Sequence, residues 1–490
     1  MPRELELKLE VAEQDVESLR THPLLSGAVS RTQPQLSVYF DTRRSKLRKA
    51  GYTLRVRRTS DGCIQTVKAA AEGAGLFDRD EWEAPVNGML PDLSAAADTP
   101  LGPLLGPQAG RKLVPVLRSE VERTAWLLDH EGSTLEVTLD QGSIQSGAEE
   151  RPLLEIEIEL KKGHASAVIG LARQLGERVP LRLGVLTKAE RGFALMNGKL
   201  AEPAKAGPVH VDPSMTVAEG FTATVHSGLR HFRLNEPLLA ADRHPVALHQ
   251  ARVAMRRLRS SLSLFRPAIG DEAFPALREE LRWFTAQLGD ARNLDVFLGK
   301  AESQLPERGR LEAAREQAYS AIIETLASRR FRDLLLNLVA WVETGAWRES
   351  KKASQPLPLF AARRINRLWA SIEAAGSQLT ELEEEPRHRL RIEIKKLRYA
   401  LEFVSALHRS AGRRRAKFMG ALEALQEDLG HLNDLATARL LASEYQVERA
   451  SVDGEAPQQV HDEEGRYLAA AEANFRRLEG VGAFWIRTPR

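Results

Sequence analysis

The sequence predicts an α+β protein: an N-terminal antiparallel β-barrel tunnel with flanking helices, followed by an all-α domain of two pseudo-symmetric helical bundles. Three observations lead to this fold class. Apolar and charged residues alternate with a period of two through the first half, which is typical of β-strands. Beyond Pro208 the apolar period becomes 3.6, which is typical of helices. One charged helical motif then occurs twice.

The alternating runs of the first half lie at residues 4–8, 54–57, 135–137 and 154–160, and helical patterns at 11–21 and 165–176 interrupt them. About seven or eight such strands in about 200 residues favour a closed barrel, because closure removes exposed sheet edges. The barrel would leave one set of side chains pointing inward.

Residues 201–208 are rich in proline, glycine and alanine and are typical of a linker. We therefore predict a tunnel domain at 1–203, a linker at 204–213 and a helical domain at 214–490. A segment with two prolines at 351–358 predicts a division of the helical domain into repeats of about 214–350 and 357–490.

Composition excludes several classes of protein. The chain has 490 residues, 43% hydrophobic and 28% charged, which is a globular balance. No stretch approaches the ~20 apolar residues that cross a bilayer, and the N-terminus lacks a signal-peptide pattern, so we expect no membrane partner and a cytoplasmic location. The single cysteine, Cys63, excludes an internal disulfide and a thiolate metal cage. With 70 basic and 67 acidic residues, no specific nucleic-acid binding is expected, and any anion site must be local.

The first strand places charged and apolar residues on opposite faces. Glu4, Glu6 and Lys8 share one face, and the leucines at 5, 7 and 9 share the other. We predict that the apolar face packs outward against helices and that the charged face lines the lumen. The same parity groups further charged residues of the later strands: Arg55 with Arg57, Glu81 with Glu83, Glu136 with Asp140, and Glu155 with Glu157 and Glu159.

A lumen of this kind suits an anion together with a cation. Carboxylates are the ligands that Mg²⁺ and Mn²⁺ prefer, and arginine and lysine hold phosphate oxygens. The alternative is an ordinary sheet with a solvated charged face, in which cross-strand ion pairs are common. Five strands with charges on one parity favour the lumen.

The N-terminal Glu4-x-Glu6-x-Lys8 resembles the ExExK signature of the CYTH superfamily, the triphosphate tunnel metalloenzymes. The resemblance continues in order over residues 1 to about 200. Its later segments are 39–42, 54–57, 66–68, 79–81, Arg118 with Arg123, 136–140, 155–159 and 188–192.

The resemblance implies three sets of site residues. The implied metal ligands are Glu4, Glu6, Glu155, Glu157 and Glu159. The implied triphosphate-binding residues are Arg55, Arg57, Lys68, Arg118, Arg123, Lys188 and Arg191. Lys8 is expected to orient or activate the attacking water, and Tyr39 falls near the water site, although it could equally be a packing residue.

The helical half contains a duplication. His249-x2-Arg252-x3-Arg256-Arg257-Leu258-Arg259 recurs as His388-x2-Arg391-x3-Lys395-Lys396-Leu397-Arg398. Each copy is followed by a helix that is expected to end in a glycine-containing turn, at 288–294 and 429–435. On a helical wheel His249, Arg252, Arg256 and Arg259 share one face, and apolar residues occupy the opposite face.

Like charges at these spacings destabilise an isolated helix, so a bound anion is the simplest compensation. A solvated face paired with acids on other helices is one alternative. A histidine metal site and duplex DNA binding are others, but the neighbours are cations, and few aromatic residues lie among them. Repetition in the same phase favours the anion.

This half resembles the CHAD domain over roughly residues 215–490. The family is associated with inorganic polyphosphate, which implies a binding path along both basic helices. The implied polyphosphate-binding residues are His249, Arg252, Arg256, Arg257, Arg259, Arg292, His388, Arg391, Lys395, Lys396 and Arg398.

We therefore expect a metal-dependent inorganic triphosphatase, a phosphoric anhydride hydrolase that cleaves triphosphate to diphosphate and phosphate, with a polyphosphate-binding helical domain. The alternatives are a thiamine triphosphatase or an adenylate cyclase-type enzyme, and a non-catalytic polyphosphate-binding or granule-targeting protein. Association with polyphosphate granules would then accompany the cytoplasmic location.

Overall fold

The computed structural model describes residues 3–70, 73–106, 112–300, 307–445 and 457–485. The chain divides into two compact units, which we call the barrel unit and the helical unit. The barrel unit draws on Met1–Lys205, Leu229–Leu238 and Ala327–Thr344. The helical unit draws on Ala206–Gly228, Leu239–Leu326 and Gly345–Arg490.

Nine strands form the sheet of the barrel unit: β1 (Arg3–Glu10), β2 (Ser30–Thr42), β3 (Tyr52–Thr59), β4 (Gly62–Ala69), β5 (Leu76–Val86), β6 (Leu113–His130), β7 (Ser133–Ser146), β8 (Glu149–Lys162) and β9 (Arg182–Leu183). Their order is β5-β4-β3-β2-β6-β7-β8-β1-β9, and an additional β1–β5 pairing closes the barrel. Every pairing is antiparallel. The predicted antiparallel barrel is confirmed.

In the strand register, charged residues of neighbouring strands lie opposite one another, as the predicted alternation requires. Glu6 lies opposite Glu159, and Lys8 lies opposite Glu157. Residues directly opposite in an antiparallel pair project to the same side, so these charged side chains share the inner face. On the other face Leu7 and Leu9 are buried, where helical residues 165–176 pack against β1 and β8.

The long β6–β7 hairpin has a two-residue loop. Glu131 and Gly132 both have positive φ, 48° and 71°, which is the conformation of a type I′ turn. This turn matches the right-handed twist of the strands and leaves a regular ladder from His130–Ser133 back to Arg118–Gln145.

Six helices accompany the strands: α1 (Val16–Arg20), α2 (Pro23–Ser26), α3 (Lys46–Lys49), α4 (Leu101–Leu105), α5 (Ala165–Gly176) and α6 (Lys188–Met196). The helix predicted at 165–176 is α5. The helix predicted at 11–21 is shorter, because a 3-10 turn at Glu13–Asp15 precedes α1. A 3-10 turn also lies at Lys199–Ala201.

The regular elements that follow in the described chain are helices: α7 (Val217–Asp242), α8 (Pro245–Ile269), α9 (Phe274–Gln287), α10 (Gly289–Lys300), α11 (Arg308–Ala327), α12 (Arg329–Thr344), α13 (Leu357–Gly376), α14 (Glu384–Phe403), α15 (Gly412–Glu444) and α16 (Pro457–Val481). Short 3-10 segments lie at Ala346–Glu349, Leu379–Glu381 and Ser405–Ala411. The helical second half is confirmed.

Two details differ from the expectations for this half. The turn expected at 429–435 is absent, because α15 continues through these described residues, whereas Leu288 does separate α9 from α10. Residues 229–238 and 327–344 belong to the barrel unit although they follow the predicted linker. The predicted domain limits remain a prediction, and residues 446–456 and 486–490 of the second predicted repeat lie outside the described chain.

Candidate functional site

The lumen of the barrel is a cavity of about 190 Å³ lined almost entirely by polar side chains. The predicted residues that line it are Glu4, Lys8, Tyr39, Arg55, Arg57, Lys68, Arg123, Glu157, Glu159 and Lys188. Lys188 is placed by a capping box at the start of α6: Thr187 Oγ1 accepts from the Glu190 amide, and the Glu190 carboxylate accepts from the Thr187 amide at 2.9 Å. The lumen therefore gathers charged residues from most strands and from one helix terminus.

Four predicted residues lie outside this lining. Glu6 and Glu155 are buried in the barrel wall. Arg118 is exposed beside Glu120 on the outer surface. Arg118 and Arg123 are five residues apart on a stretch of β6 with a regular register, so they face opposite sides. Arg191 points to Glu10, with an Nη2–Oε1 distance of 3.0 Å.

The lumen also contains residues that were given no role in the site from sequence, although strand parity had placed Glu81, Glu83 and Glu136 on the charged face. They are Thr53, Thr66, Arg79, Glu81, Glu83, Glu136, Lys161, Thr187 and Ala189. The signal for several was present, because Arg79 shares the parity of Glu81 and Glu83, and Lys161 continues the alternation of 155, 157 and 159. Asp140, fully buried, is a further member of the charged network.

One part of the lumen is a closed ion-pair network. Arg123 donates to both oxygens of Asp140 at 2.6 Å and to Glu157 at 2.8 Å. Lys188 Nζ lies 2.8 Å from Asp140 and 3.1 Å from Glu157, and it also donates to Glu155. Each cation thus contacts at least two carboxylates, which satisfies charges that burial would otherwise penalise.

Lys8 is held in the same network. It donates to Glu157 and lies 3.5 Å from Glu6 and 3.8 Å from Glu155. Burial lowers the pKa of Lys8, but these three carboxylates outweigh burial and raise the pKa above its ordinary value. Lys8 is therefore an ammonium group that can donate hydrogen bonds to a ligand.

The opposite wall carries Arg57, a cation without a close counter-charge among the described residues, next to Arg55, which lies 4.0 Å from Glu83. Arg57 Nε donates weakly to Ser37 Oγ at 3.4 Å, and no carboxylate oxygen of the described chain lies within 4.0 Å of its guanidinium. Burial, then Arg55 and Arg123, lower the pKa of Arg57 to about 10. An anion bound here would relieve this repulsion.

Carboxylates are in excess on the side of the barrel that lies across from Arg57. Arg57 is on β3 and Glu159 is on β8, and these two strands are four positions apart around the ring. Glu159 and Glu136 share Lys161, at 2.8 and 3.2 Å. Burial raises the pKa of Glu159, and the nearby charges of Glu4 and Glu136 raise it further. The lumen therefore has two unlike walls. We call the wall at Arg57 the anion-binding wall and the wall at Glu4, Glu136 and Glu159 the cation-binding wall.

Two acidic groups of the lumen have the donor chemistry of a divalent metal site. Ligand oxygens of Asp140, Glu155 and Glu157 lie within 4.8 Å of one another and could hold a metal ion. Their oxygens already accept from lysine and arginine, however. In the second group Glu136 and Glu159 share Lys161, and Glu4 accepts from Lys68 at 2.7 Å and from Arg79 at 3.2 Å. The charges of Glu4 and Glu136 raise the pKa of Glu159, and an additional cation would relieve that repulsion.

The helical unit contains a second charged cavity, of about 670 Å³, between α8, α10, α14 and α15. The predicted residues that line it are His249, Arg252, Arg256, Arg292, Arg391, Lys395 and Arg398. The apolar face of α8 is buried as predicted, at Ala251, Met255, Leu258 and Leu262. The matching face of α14 is buried at Leu390, Ile394, Leu397 and Leu401.

Four other predicted residues do not line this cavity. Arg257 is buried against Glu402 and stacks on Phe403 at 5.1 Å. Arg259 is exposed towards Arg278 and Arg282.

Lys396 and His388 are engaged elsewhere. Lys396 donates to Glu393 at 2.6 Å. The His388 ring bonds Asn433 Oδ1 at 2.8 Å, and Asn433 itself lines the cavity. Sequence reasoning did not identify the residues of α15 in the lining, which include Glu423, Glu427, His431, Asn433 and Asp434.

Most cations of this cavity lack a counter-charge. Arg398 donates to Glu402, but no carboxylate oxygen in the described parts of the chain lies within 4.0 Å of the other lining cations. Burial and neighbouring arginines lower the pKa of His249 to about 4 and that of Arg252 to about 10. The cavity therefore has the electrostatic character of an anion site.

None of the described helices is both long enough and apolar enough to span a bilayer.

Comparisons with known proteins identify two domains along the chain. A family model described as the CYTH domain matches residues 2–193, and one described as the CHAD domain matches residues 223–443. An inorganic triphosphatase of Haemophilus influenzae is 29% identical over 167 residues, which are 32% of this chain and 45% of that protein. The match thus spans less than half the length of that relative.

Two further proteins are similar over more of the chain. An uncharacterized protein of Mycobacterium tuberculosis is 27% identical over 404 residues, 76% of each protein. The CHAD domain from the plant Ricinus communis, known from a crystal structure, is 28% identical in sequence to this chain, with a TM-score of 0.46. The match covers 59% of this chain and 98% of that one. This protein is therefore an N-terminal CYTH domain fused to a C-terminal CHAD domain.

Proposed function

We propose that the barrel unit is a metal-dependent inorganic triphosphatase that cleaves triphosphate to diphosphate and phosphate. The observation that carries this proposal is the polarised lumen, with unpaired Arg57 on one wall and the Glu4, Glu136 and Glu159 carboxylates on the other. A condensed phosphate needs cations along its chain and a metal at its terminal oxygens. The similarity to an inorganic triphosphatase supports the same reaction.

Size favours an inorganic substrate. The lumen of about 190 Å³ is below the range of about 300–1,000 Å³ that is usual for drug-sized organic ligands. Arg55, Arg57 and Arg123 would hold the phosphate oxygens, and Arg55 is itself held by Thr66 Oγ1 at 3.2 Å. Lys68 lies 2.7 Å from Glu4 and 3.1 Å from Glu81, where it would contact both carboxylates and substrate.

Glu4, Glu136 and Glu159 would hold the divalent metal, with Mg²⁺ or Mn²⁺ as the expected ion. Bound there, the ion would neutralise charge that develops on the terminal phosphoryl group. The ammonium of Lys8, fixed by Glu157, would donate a hydrogen bond that orients the attacking water. Glu6, Glu155 and Glu157 serve in this proposal to position Lys8, Arg79 and Lys188.

A larger chamber favours a second substrate class. It has a volume of about 1130 Å³ and shares Thr53, Arg79, Thr187 and Ala189 with the lumen. Phe193 lines this chamber beneath Arg48, whose guanidinium lies 4.6 Å from the ring centre. An organic group attached to a triphosphate could occupy it, as in thiamine triphosphate or ATP.

Phosphate release from a panel of substrates distinguishes an inorganic from an organic triphosphate substrate. The panel contains triphosphate, thiamine triphosphate, ATP and long-chain polyphosphate, each with Mg²⁺, Mn²⁺ or EDTA. Inorganic triphosphatase activity predicts the highest kcat/KM for triphosphate, with loss in EDTA. An organic substrate predicts the reverse order. No hydrolysis of any substrate with either metal would contradict the enzyme proposal and favour a binding protein.

We further propose that the cavity of the helical unit binds inorganic polyphosphate. Support comes from the arginines that have no carboxylate oxygen within 4.0 Å in the described chain, Arg252 and Arg256 on α8 and Arg391 on α14, with His249 and Lys395 beside them. A flexible polyanion would supply the missing negative charges and release condensed counterions from the chain. Titration calorimetry of the full chain with polyphosphate at two salt concentrations tests it, with duplex DNA as the competing polyanion. Equal affinity for DNA would contradict a site selective for polyphosphate.

A further inference from the structure

Lys395 lies in a setting unlike that of the lumen lysines. It lines the cavity of the helical unit from α14 and is partly buried. No carboxylate oxygen of the described chain lies within 4.0 Å of its amine. Its sequence neighbour Lys396 is paired with Glu393 at 2.6 Å and does not line the cavity. The two adjacent lysines therefore provide an internal comparison.

The charges around Lys395 come from four helices. Arg391 and Arg398 lie on its own helix, and Arg256 faces it from α8. The remaining titratable or charged groups of the lining are His249 and Arg252 on α8, Arg292 on α10, and Glu423, Glu427, His431 and Asp434 on α15. α13 also packs against α14, but it contributes no described residue to the lining.

Burial, then Arg391 and Arg256, lower the pKa of Lys395 to about 6, while Asp434 opposes the shift. At pH 7 most molecules would then carry a neutral amine at this position. An ordinary lysine, with a pKa of about 10.4, is neutral in roughly one molecule in 2,000. A neutral amine among cations is a nucleophile.

We propose that Lys395 is a covalent modification site that is acylated by small acyl phosphates drawn into the cavity. The unpaired arginines around the amine would bind the phosphate group and hold the carbonyl carbon next to Nζ. This inference rests on the proposed anion-binding role of the cavity.

The chemistry needs no further reactant. The lone pair of Nζ forms a bond to the carbonyl carbon, the bond from that carbon to the phosphate oxygen breaks, and inorganic phosphate leaves with the electron pair. One amine proton passes to the buffer. Arg391 and Arg256 can stabilise the departing phosphate because they already face the amine. The product, an Nε-acyl-lysine, can no longer take up a proton when a polyanion binds, so the proposed polyphosphate site would lose that positive charge.

The test uses the full chain, acetyl phosphate and peptide mass spectrometry. At pH 7 we expect acetylation of Lys395 on the order of tenfold faster than that of Lys396, because the larger neutral fraction outweighs the lower nucleophilicity of a weaker base. Between pH 7 and 9 the Lys395 rate should change by less than about twofold, whereas an ordinary lysine should gain about 100-fold. Inorganic phosphate or polyphosphate should protect Lys395 and leave Lys396 unaffected.

The variant Arg256→Met provides a second measurement. Removing one of the cations that face the amine should raise the pKa of Lys395 and make its acetylation rate at pH 7 more dependent on pH than in the unsubstituted protein. Equal rates at Lys395 and Lys396 with the same pH slope would overturn the proposal. If Lys395 is acetylated selectively but the protein does not bind polyphosphate, the acylation proposal is supported and the polyphosphate proposal is refuted. Failure of one proposal can therefore be told apart from failure of the other.

Discussion

The lumen and the cavity of the helical unit both contain lysines and arginines, but the surroundings shift the pKa of their lysines in opposite directions. In the lumen Lys8 and Lys188 each contact several carboxylates, which raise their pKa despite complete burial. In the helical cavity Lys395 has no carboxylate within 4.0 Å in the described chain, and its pKa is lowered to about 6.

The difference shows what each site needs from its ligand. The lumen supplies counter-charges for Lys8 and Lys188 and, within the described residues, leaves Arg57 without one, so most of its cations are fixed before substrate arrives. The helical cavity leaves its cations in mutual repulsion, so an anion contributes the missing charge when it binds. We expect substitutions at corresponding positions to have opposite consequences in the two sites.

The largest effect is expected from Glu4→Gln. Removal of one carboxylate from the cation-binding wall should weaken metal binding and lower kcat for triphosphate hydrolysis on the order of 10³-fold, with the fold retained. Phosphate release with Mg²⁺ measures it, and Glu120→Gln on the outer surface is the matched control. Near-normal turnover would remove Glu4 from the metal site.

Lys188→Met and Lys395→Met should separate the two sites by stability. Lys188 contacts three carboxylates, and leaving them unpaired should cost about 3–5 kcal/mol in the free energy of unfolding. Lys395→Met removes a partly buried amine that has no carboxylate within 4.0 Å in the described chain, and it should leave stability unchanged or raise it by about 1 kcal/mol. Thermal unfolding of both variants measures the contrast, and equal destabilisation would contradict it.

Lys8→Met tests the role of an ammonium that is already fixed. The other cations share the binding of substrate, so kcat should fall on the order of 10²-fold while KM changes little. Lys162→Met, at the exposed end of β8, is the control. A defect confined to KM would place Lys8 among the phosphate-binding residues.

Charge reversal on α8 tests the helical cavity. Arg252→Glu with Arg256→Glu should weaken polyphosphate binding about 10- to 100-fold and reduce its salt dependence, with triphosphate turnover in the lumen preserved. Arg259→Glu, on the same helix but outside the lining, should lose less than about threefold. If both variants weaken binding equally, the effect comes from general surface charge.

The smallest effect is a pH dependence of polyphosphate affinity. A bound polyanion should raise the pKa of Lys395, so above pH 6 binding requires proton uptake. Affinity should rise about tenfold as pH falls from 8 to 6 and then level off, because the free protein is already protonated there. Calorimetry in buffers of different ionisation enthalpy measures the uptake, and the Lys395→Arg variant should lose it.

Much of the site was predictable because it depends on local periodicity. A period of two sends residues 4, 6 and 8 to one face of β1 whatever the rest of the chain does. The bounds of α5 follow from its apolar spacing, and the phase of α8 follows from the burial of Met255 opposite Arg252. These features need only the geometry of a strand or a helix.

The tertiary structure decided what periodicity leaves open, namely which partner each charge meets. Arg233 of α7 reaches Glu10 of β1 at 2.8 Å although 223 residues separate them, and α12 joins the barrel unit from late in the chain. Lys395 and Lys396 are adjacent in sequence and similar in type, yet one faces three arginines and the other a glutamate. The sequence by itself determined the faces on which the charges lie, because local geometry sets direction. Distances between elements set charge compensation, and only the packed structure supplies them.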